Sequence, residues 1–364
     1  MLYEKQFKNP EYPQLLKKHL QRLAETTGPI KLMEICGTHT MAIARTGLKS
    51  MLPPNIRLIS GPGCPVCVTP AGVIDSILKL SQHPGVTITS YGDLLRVPGS
   101  VRGDSLLRRR ALGASIETVY SPIDALKLAA ARPDKQFIFL GVGFETTAPG
   151  TAACILEASR MGLKNFSVLS LLKLTEPALR TLIAADDFCV NGFLCPGHVA
   201  AITGTGIFRF LPEEYGLGAV ISGFEAADLL YSVYALVKML ADHRPCLKNE
   251  YIRLVKPEGN LAAQKLVSQV FTSCLSHWRG LGAVAYSGLA IREDFALYDA
   301  AKRFDFQIST ESSIPGCLCS QVIRGAAQPS QCPLFKTVCT PSDPVGPCMV
   351  SGEGACAAAY RYQL

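Results

Sequence analysis

The chain has 364 residues, a formal net charge of +7 and 48% hydrophobic residues. That length suggests two or three domains of ~100–200 residues, with ample material for real cores. No apolar run approaches the ~18–20 residues of a membrane span, and zinc fingers, basic-aromatic RNA motifs and long Lys/Arg blocks are missing, which argues against membrane and nucleic-acid partners. The opening MLYEKQFKNPEYPQ is charged and contains proline, so no signal peptide is expected and the chain reads as cytoplasmic. In that compartment 14 cysteines read more readily as metal ligands or redox thiols than as a disulfide framework.

In chain order, a helix is expected over about 10–25, able to pack on the first or the last unit. Short apolar runs rich in β-branched or aromatic residues then recur: IKLMEIC (30–36), IRLISG (56–61), VTITSYG (86–92), KQFIFLGVG (135–143), FSVLSLL (166–172), GFLCPG (192–197) and GAVISGF (218–224). Most precede a Gly- or Pro-containing turn and a helical pattern, such as SPIDALKLAAA (121–131) or the stretch 225–243 with apolar residues at i, i+3, i+4 and i+7. Such alternation implies parallel sheets flanked by helices. The expected fold class is therefore α/β, with two doubly wound parallel-sheet domains over 25–118 and 119–245. A smaller, mostly helical and loop C-terminal unit follows over 246–364, with or without 1–24, and helical patterns around 262–282 and 293–304 lead into its end. The basic run RGDSLLRRR (102–110) reads as a solvated helix face or a contact for an acidic protein. Cys154, Cys189 and Cys274 sit alone in apolar surroundings and read as small buried hydrophobes.

Residues with chemistry fall just after the predicted strands: CGTHT (36–40), GPGCPVC (61–67), YGDLLRVPG (91–99), GFETTAP (143–149), PGHV (196–199) and GFE (223–225). Open α/β sheets bind ligands outside the carboxyl ends of their strands, so these loops mark a site. Cys36 ends a strand before a helix start, where the positive helix end is expected to lower its thiol pKa; Thr38 and His39 stand ready to hydrogen-bond whatever the sulfur holds. Cys64-Pro-Val-Cys67 suits a redox dithiol or half of a metal site. With Cys36 and His39 on the same edge, three thiols and an imidazole suit a soft or borderline metal such as iron. Glu145 and His198 are candidate acid–base or hydrogen-bonding groups, each equally readable as a cap. Asp93 and Arg96 read as an ordinary salt bridge.

The tail carries Cys317, Cys319, Cys332, Cys339, Cys348 and Cys356. From Cys317 to Cys356, 15 of 40 residues are Cys, Pro or Gly, and Phe335 is the one aromatic side chain. Such a segment needs cross-links or metal to order it. Four thiolates suit a [4Fe–4S] cluster, and tight zinc knuckles are missing. Zinc, free thiols and disulfides remain alternatives, and spacing alone does not say which four cysteines act.

Taken together, MEICGTHT, SGPGCPVCVTP, YGDLLRVPGS, GVGFETTAP, CPGHV, SGFEAADLL and CPLFKTVCTPSDPVGPCMVSGEGACAAAYRY resemble the HypD family of hydrogenase maturation proteins, from about residue 33 to the C-terminus. The family's C-x14-C-x6-C-x16-C cluster motif falls on Cys317, Cys332, Cys339 and Cys356, which the resemblance makes the [4Fe–4S] ligands. It makes Cys319 and Cys348 a pair able to form a disulfide beside the cluster, similar to ferredoxin:thioredoxin reductase. It places the family's iron-site cysteine on Cys36 and its C-x-x-C on Cys64 and Cys67. The resemblance implies a scaffold on which the Fe(CN)2(CO) unit of [NiFe]-hydrogenase is assembled, rather than a stand-alone enzyme. The implied partners are a HypC-type chaperone that adds a cysteine ligand, a HypE-type donor that brings cyanide as a protein-bound thiocyanate, and indirectly the hydrogenase large-subunit precursor. The alternative is a stand-alone iron–sulfur thiol-disulfide oxidoreductase acting on proteins.

Overall fold

A computed structural model describes residues 12–307 and 315–362. Eleven strands run in chain order as β1 Ile30–Glu34, β2 Ile56–Ser60, β3 Val86–Ser90, β4 Ile116–Thr118, β5 Gln136–Gly143, β6 Phe166–Leu172, β7 Gly192–Pro196, β8 Gly218–Ser222, β9 Leu247–Asn249, β10 Phe271–Trp278 and β11 Gly282–Ile291. One parallel sheet has the order β2-β1-β7-β8-β9, and a second the order β4-β3-β5-β6. All seven predicted strands are present. Apart from the edge strand β2, their near-continuous apolar runs are buried on both faces, as parallel sheets covered by helices require.

The expected boundary near residue 118 does not follow the sheets. The chain forms β1 and β2, crosses to the second sheet for β3 to β6, and returns to the first for β7 to β9. Local alternation gives the strand–helix rhythm, but pairing partners are chosen by non-local packing, which no local pattern encodes. The outward crossover runs through GPGCPVCVTP, so the C-x-x-C segment links the two sheets.

The first helix, α1 Tyr12–Thr27, buries Leu16, Leu20 and Ala24 at helical spacing against α2 Ala226–Ala241, on the first sheet and not on the C-terminal region. Nor is the region after 246 a separate unit. β9 completes the first sheet, while α3 Leu261–Val270 packs on the second sheet's helix Ala148–Arg160. The helix expected over 262–282 stops at Val270, where FTSCLSHW, with its β-branched and aromatic ends, turns into an antiparallel hairpin with β11. That hairpin lies along β6.

The tail wedges between these parts. Its helix Ala355–Tyr362 packs on Gly37–Thr46 of the first sheet, and Arg102 reaches across to Asp343 at 2.5 Å. Arg109 is also paired to Asp104, while Arg102, Arg108 and Arg110 stay exposed, so the run is a solvated face with two of its four arginines paired inside the molecule. No described helix is long and apolar enough to cross a membrane.

Candidate functional site

In the first sheet the strand order reverses between β1 and β7, and their carboxyl ends open the crevice where such sheets bind ligands. Cys36 lies two residues past β1 and His198 two past β7. The Cys36 Sγ stands 3.8 Å from His198 Nε2. His198 stacks on Phe224, just past β8, with ring centroids 5.0 Å apart. His39 packs against the same ring and donates from Nε2 to the Gly223 carbonyl at 3.0 Å. Three loops from three adjacent strands therefore converge, and His198, assigned from the sequence to the second domain with Glu145, joins Cys36 and His39.

Cys36 caps the helix Gly37–Thr46 with extended backbone. Its N–H donates to Glu34 Oε2 at 3.0 Å, and the other Glu34 oxygen accepts from the Thr40 hydroxyl. From the tail, Glu353 accepts from the Thr38 hydroxyl at 2.7 Å. Gly37 has no alternative here, since a Cβ would lie 2.4 Å from the Glu353 Cβ. Glu34 and Glu353 went unnoticed in the sequence; the usable signal was a carboxylate inside the apolar run IKLMEIC, which has to find partners when buried.

The lowered thiol pKa expected for Cys36 is not found. Burial drives it up, the Thr38 and His39 N–H groups pull it down only in part, and the Glu34 and Glu353 carboxylates add to the rise. The neutral thiol is the resting form, and desolvation outweighs the helix end. Burial likewise pushes Glu34 up to about 7 and His39 down to about 4, and lowers His198.

These shifts have opposite signs for stability. Between about pH 4.5 and 7 the folded state keeps the Glu34 proton that the unfolded chain has lost, so stability falls with rising pH. Between about pH 4 and 6.5 the unfolded chain holds the His39 proton that the folded state rejects, so stability rises. The two slopes largely cancel. In the metal-free chain Glu34→Gln therefore gains up to about 3 kcal/mol above pH 7, gains nothing below pH 4.5, and exposes a rising slope between pH 4 and 6.5. Urea midpoints across pH check this, and a variant parallel to wild type at all pH values would refute it.

Cys64 and Cys67 are buried and form a disulfide, with Cα atoms 5.2 Å apart. The Gly37 N–H donates to the Gly63 carbonyl at 3.0 Å, joining the Cys36 helix to this loop. Cys64, Cys67, Gly37 and Glu353 share a small cavity with Cys348 of the tail. The Cys348 and Cys319 sulfurs stand 2.7 Å apart as thiols. Contact with the Cys317 and Cys348 thiols, helped by the Arg279 guanidinium, holds Cys319 low, while contact with Cys319 and then Cys356 holds Cys348 high. Cys332 and Cys339 are buried with Phe335, Val345 and Met349, and Cys356 packs against them. Among the described residues, no group of three or more His, Cys, Asp or Glu side chains is arranged to hold a metal ion.

Other expectations change. Glu145 lies at the end of β5 in the second sheet, where both its oxygens accept from Thr175, the N–H at 2.6 Å and the hydroxyl at 2.8 Å. It caps a helix, and no described contact joins it to Cys36. Asp93 and Arg96 do not pair: Asp93 accepts from the Leu94 N–H, and Arg96 reaches the Pro341 carbonyl in the tail. Cys154 is buried as expected, Cys189 is exposed beside Lys31 at a loop end, and Cys274 is half-buried at a second cavity.

A family model designated HypD, described as the hydrogenase formation hypA family, matches residues 12–363. The hydrogenase maturation factor HypD2 of Bradyrhizobium diazoefficiens is 44% identical over 369 residues, covering 100% of this chain and 97% of its own length. HypD of Azotobacter vinelandii is 44% identical over 368 residues, with 100% and 97% covered. HypD of Escherichia coli is 39% identical over 371 residues, with 100% and 98% covered.

Proposed function

The chain belongs to the HypD family of hydrogenase formation proteins, and from that premise we propose that it is the scaffold on which the Fe(CN)2(CO) unit of [NiFe]-hydrogenase is built. The observation that carries this reading is the position of Cys36, at the switch point of the first sheet, facing His198 and tied through Gly37 and Gly63 to the Cys64–Cys67 loop. The iron unit is cargo. Cys36 binds it as thiolate with the cysteine of a HypC-type chaperone, and loses its proton on binding because iron supplies the positive charge that burial withholds. His198 faces the cargo and its ligands, while Glu34 fixes the Cys36 backbone without competing as a ligand.

Cyanide arrives as the thiocyanate of a HypE-type donor. Its release is balanced by a dithiol: RSCN + 2 R′SH gives RSH, HCN and R′S–SR′, with Cys64 and Cys67 as the dithiol. Their disulfide is restored to thiols by exchange. Cys348, which shares their cavity, gives its proton to the Cys319 thiolate, attacks and breaks the S–S bond as a mixed disulfide, and Cys319, passing that proton to the released thiolate, resolves it. One disulfide is made and one broken, with protons passing from one thiol pair to the other.

The resemblance assigns Cys317, Cys332, Cys339 and Cys356 to a resident [4Fe–4S] cluster; all are soft sulfur donors and Cys332, Cys339 and Cys356 pack on one apolar pocket, although the described side chains are not gathered as a metal site. When bound, such a cluster supplies single electrons.

The deciding experiment is infrared spectroscopy of the protein co-purified anaerobically with its HypC-type partner. Cyanide and CO stretching bands are expected; no bands beside a redox-active dithiol would instead select the stand-alone oxidoreductase. Cys319→Ser removes the resolving thiol, so a Cys348 mixed disulfide with Cys64 or Cys67 is expected to accumulate. Non-reducing peptide mass spectrometry that finds only Cys64–Cys67 would remove Cys348 from the path.

A further inference from the structure

Lys173, just past β6, is 3% exposed, yet among the described residues no carboxylate lies within ion-pair distance of it. Its Nζ donates to Ser276 Oγ and to the His277 carbonyl, both at 2.8 Å, which uses two of its three protons. It also lies 5.0 Å over the ring of Trp278. Burial pulls Lys173 down to about 7, and an anion held beside its Nζ would keep it charged. Beside it is a cavity of about 170 Å³, lined by Leu171 and Lys173 from one side and by Cys274, Ser276 and Leu289 of the hairpin from the other. Asp299 also lines the cavity, and one of its oxygens accepts from the Ala301 N–H. Thr69 closes the wall nearest the redox loop, and Arg279 binds the Thr69 carbonyl at 2.9 Å.

We propose that this cavity binds a small monovalent anion on the Lys173 ammonium, as a site separate from the Cys36 crevice. One ammonium neutralises one charge. The space holds a few heavy atoms, since a water occupies about 30 Å³ of liquid. Its apolar walls, Val73, Leu171 and Leu289 among them, favour a weakly hydrated, polarisable anion over sulfate or phosphate. Because Thr69 follows Cys67 by two residues and is held by the hairpin's Arg279, an occupant bears on the wall next to the redox loop.

Trp278 is the single tryptophan of the chain and its ring lies under the Lys173 Nζ, so its fluorescence responds to a change at Lys173. The full-length protein is titrated with potassium thiocyanate at ionic strength held constant with sulfate. A saturable fluorescence change is expected, together with a shifted thiocyanate stretch in the infrared. Lys173→Met should raise the half-saturation concentration at least tenfold. Asp299→Asn, which keeps the helix cap but removes a carboxylate from the cavity, should lower it several-fold, a result that general salt effects do not give. The inference fails if wild type shows only a linear change, or if Lys173→Met saturates like wild type. Should Lys173→Met not fold, an Asp299→Asn half-saturation equal to or above that of wild type overturns it equally.

Discussion

Cys36→Ala purifies folded, keeps its tail thiols and any cluster they hold, and carries no iron cyanide. The substitution removes one buried sulfur and none of the hydrogen bonds that shape the loop: the Cys36 N–H still donates to Glu34, and the helix Gly37–Thr46 is capped by backbone alone. The cost in stability is therefore about 1 kcal/mol. The functional loss is of another order. A single thiolate from this chain holds the cargo in the proposed arrangement, and His198, which faces it, does not replace a soft sulfur on low-spin iron. Cyanide and CO bands are expected to fall below detection in the complex with the HypC-type partner. The electronic absorption of the tail should match wild type. Bands of wild-type intensity would show that the iron is held elsewhere.

Gly63→Ala should be the most damaging single-methyl change in the crevice. A Cβ at residue 63 would lie 2.2 Å from the Cys36 nitrogen and 2.4 Å from its Cα. Both are backbone atoms, pinned by Glu34 on one side and by the Gly37–Gly63 hydrogen bond on the other. No flexible side chain is there to yield, so one of the two loops has to move. Overpacking against fixed backbone costs about 3 kcal/mol or more, and the shift also separates Cys36 from the C-x-x-C loop. The expected result is a fall in unfolding midpoint by several degrees and loss of the iron bands together. Gly150→Ala is the control: the nearest atom to an added Cβ is the Pro122 Cγ at 3.9 Å, ordinary contact. A Gly63→Ala protein as stable as that control would mean the loops are not packed as described.

Much of the site was legible because its residues follow strands. A strand-end loop in a parallel sheet belongs to a crevice wherever the strand goes, which marks Cys36, His39 and His198 as crevice residues, but only the pairing of β1 with β7 brings His198 from the expected second domain to Cys36. Glu145 reads from the sequence as an acid–base group or a cap, and the contacts select the cap, since Thr175 takes both its oxygens. The electrostatics were misread in one respect: a helix end lowers a thiol pKa only where water still reaches it, and Cys36 is too buried for that. The C-terminal hairpin was read as helix because 262–282 mixes both periods, and the choice fell to the free edge of β6 that its second half covers.

What the sequence by itself determined was seven of the nine parallel strands with their intervening helices, the loops that carry cysteine and histidine, and the family. These rest on local period, turn chemistry and a conjunction of motifs. The tertiary structure alone decided which strands pair, that the chain passes between the sheets through the C-x-x-C segment, and that Glu353 and Cys348 of the tail reach the Cys36 and Cys64–Cys67 loops. Those contacts join residues some 280 to 315 positions apart, and shape and burial, which act only once the chain is packed, select them.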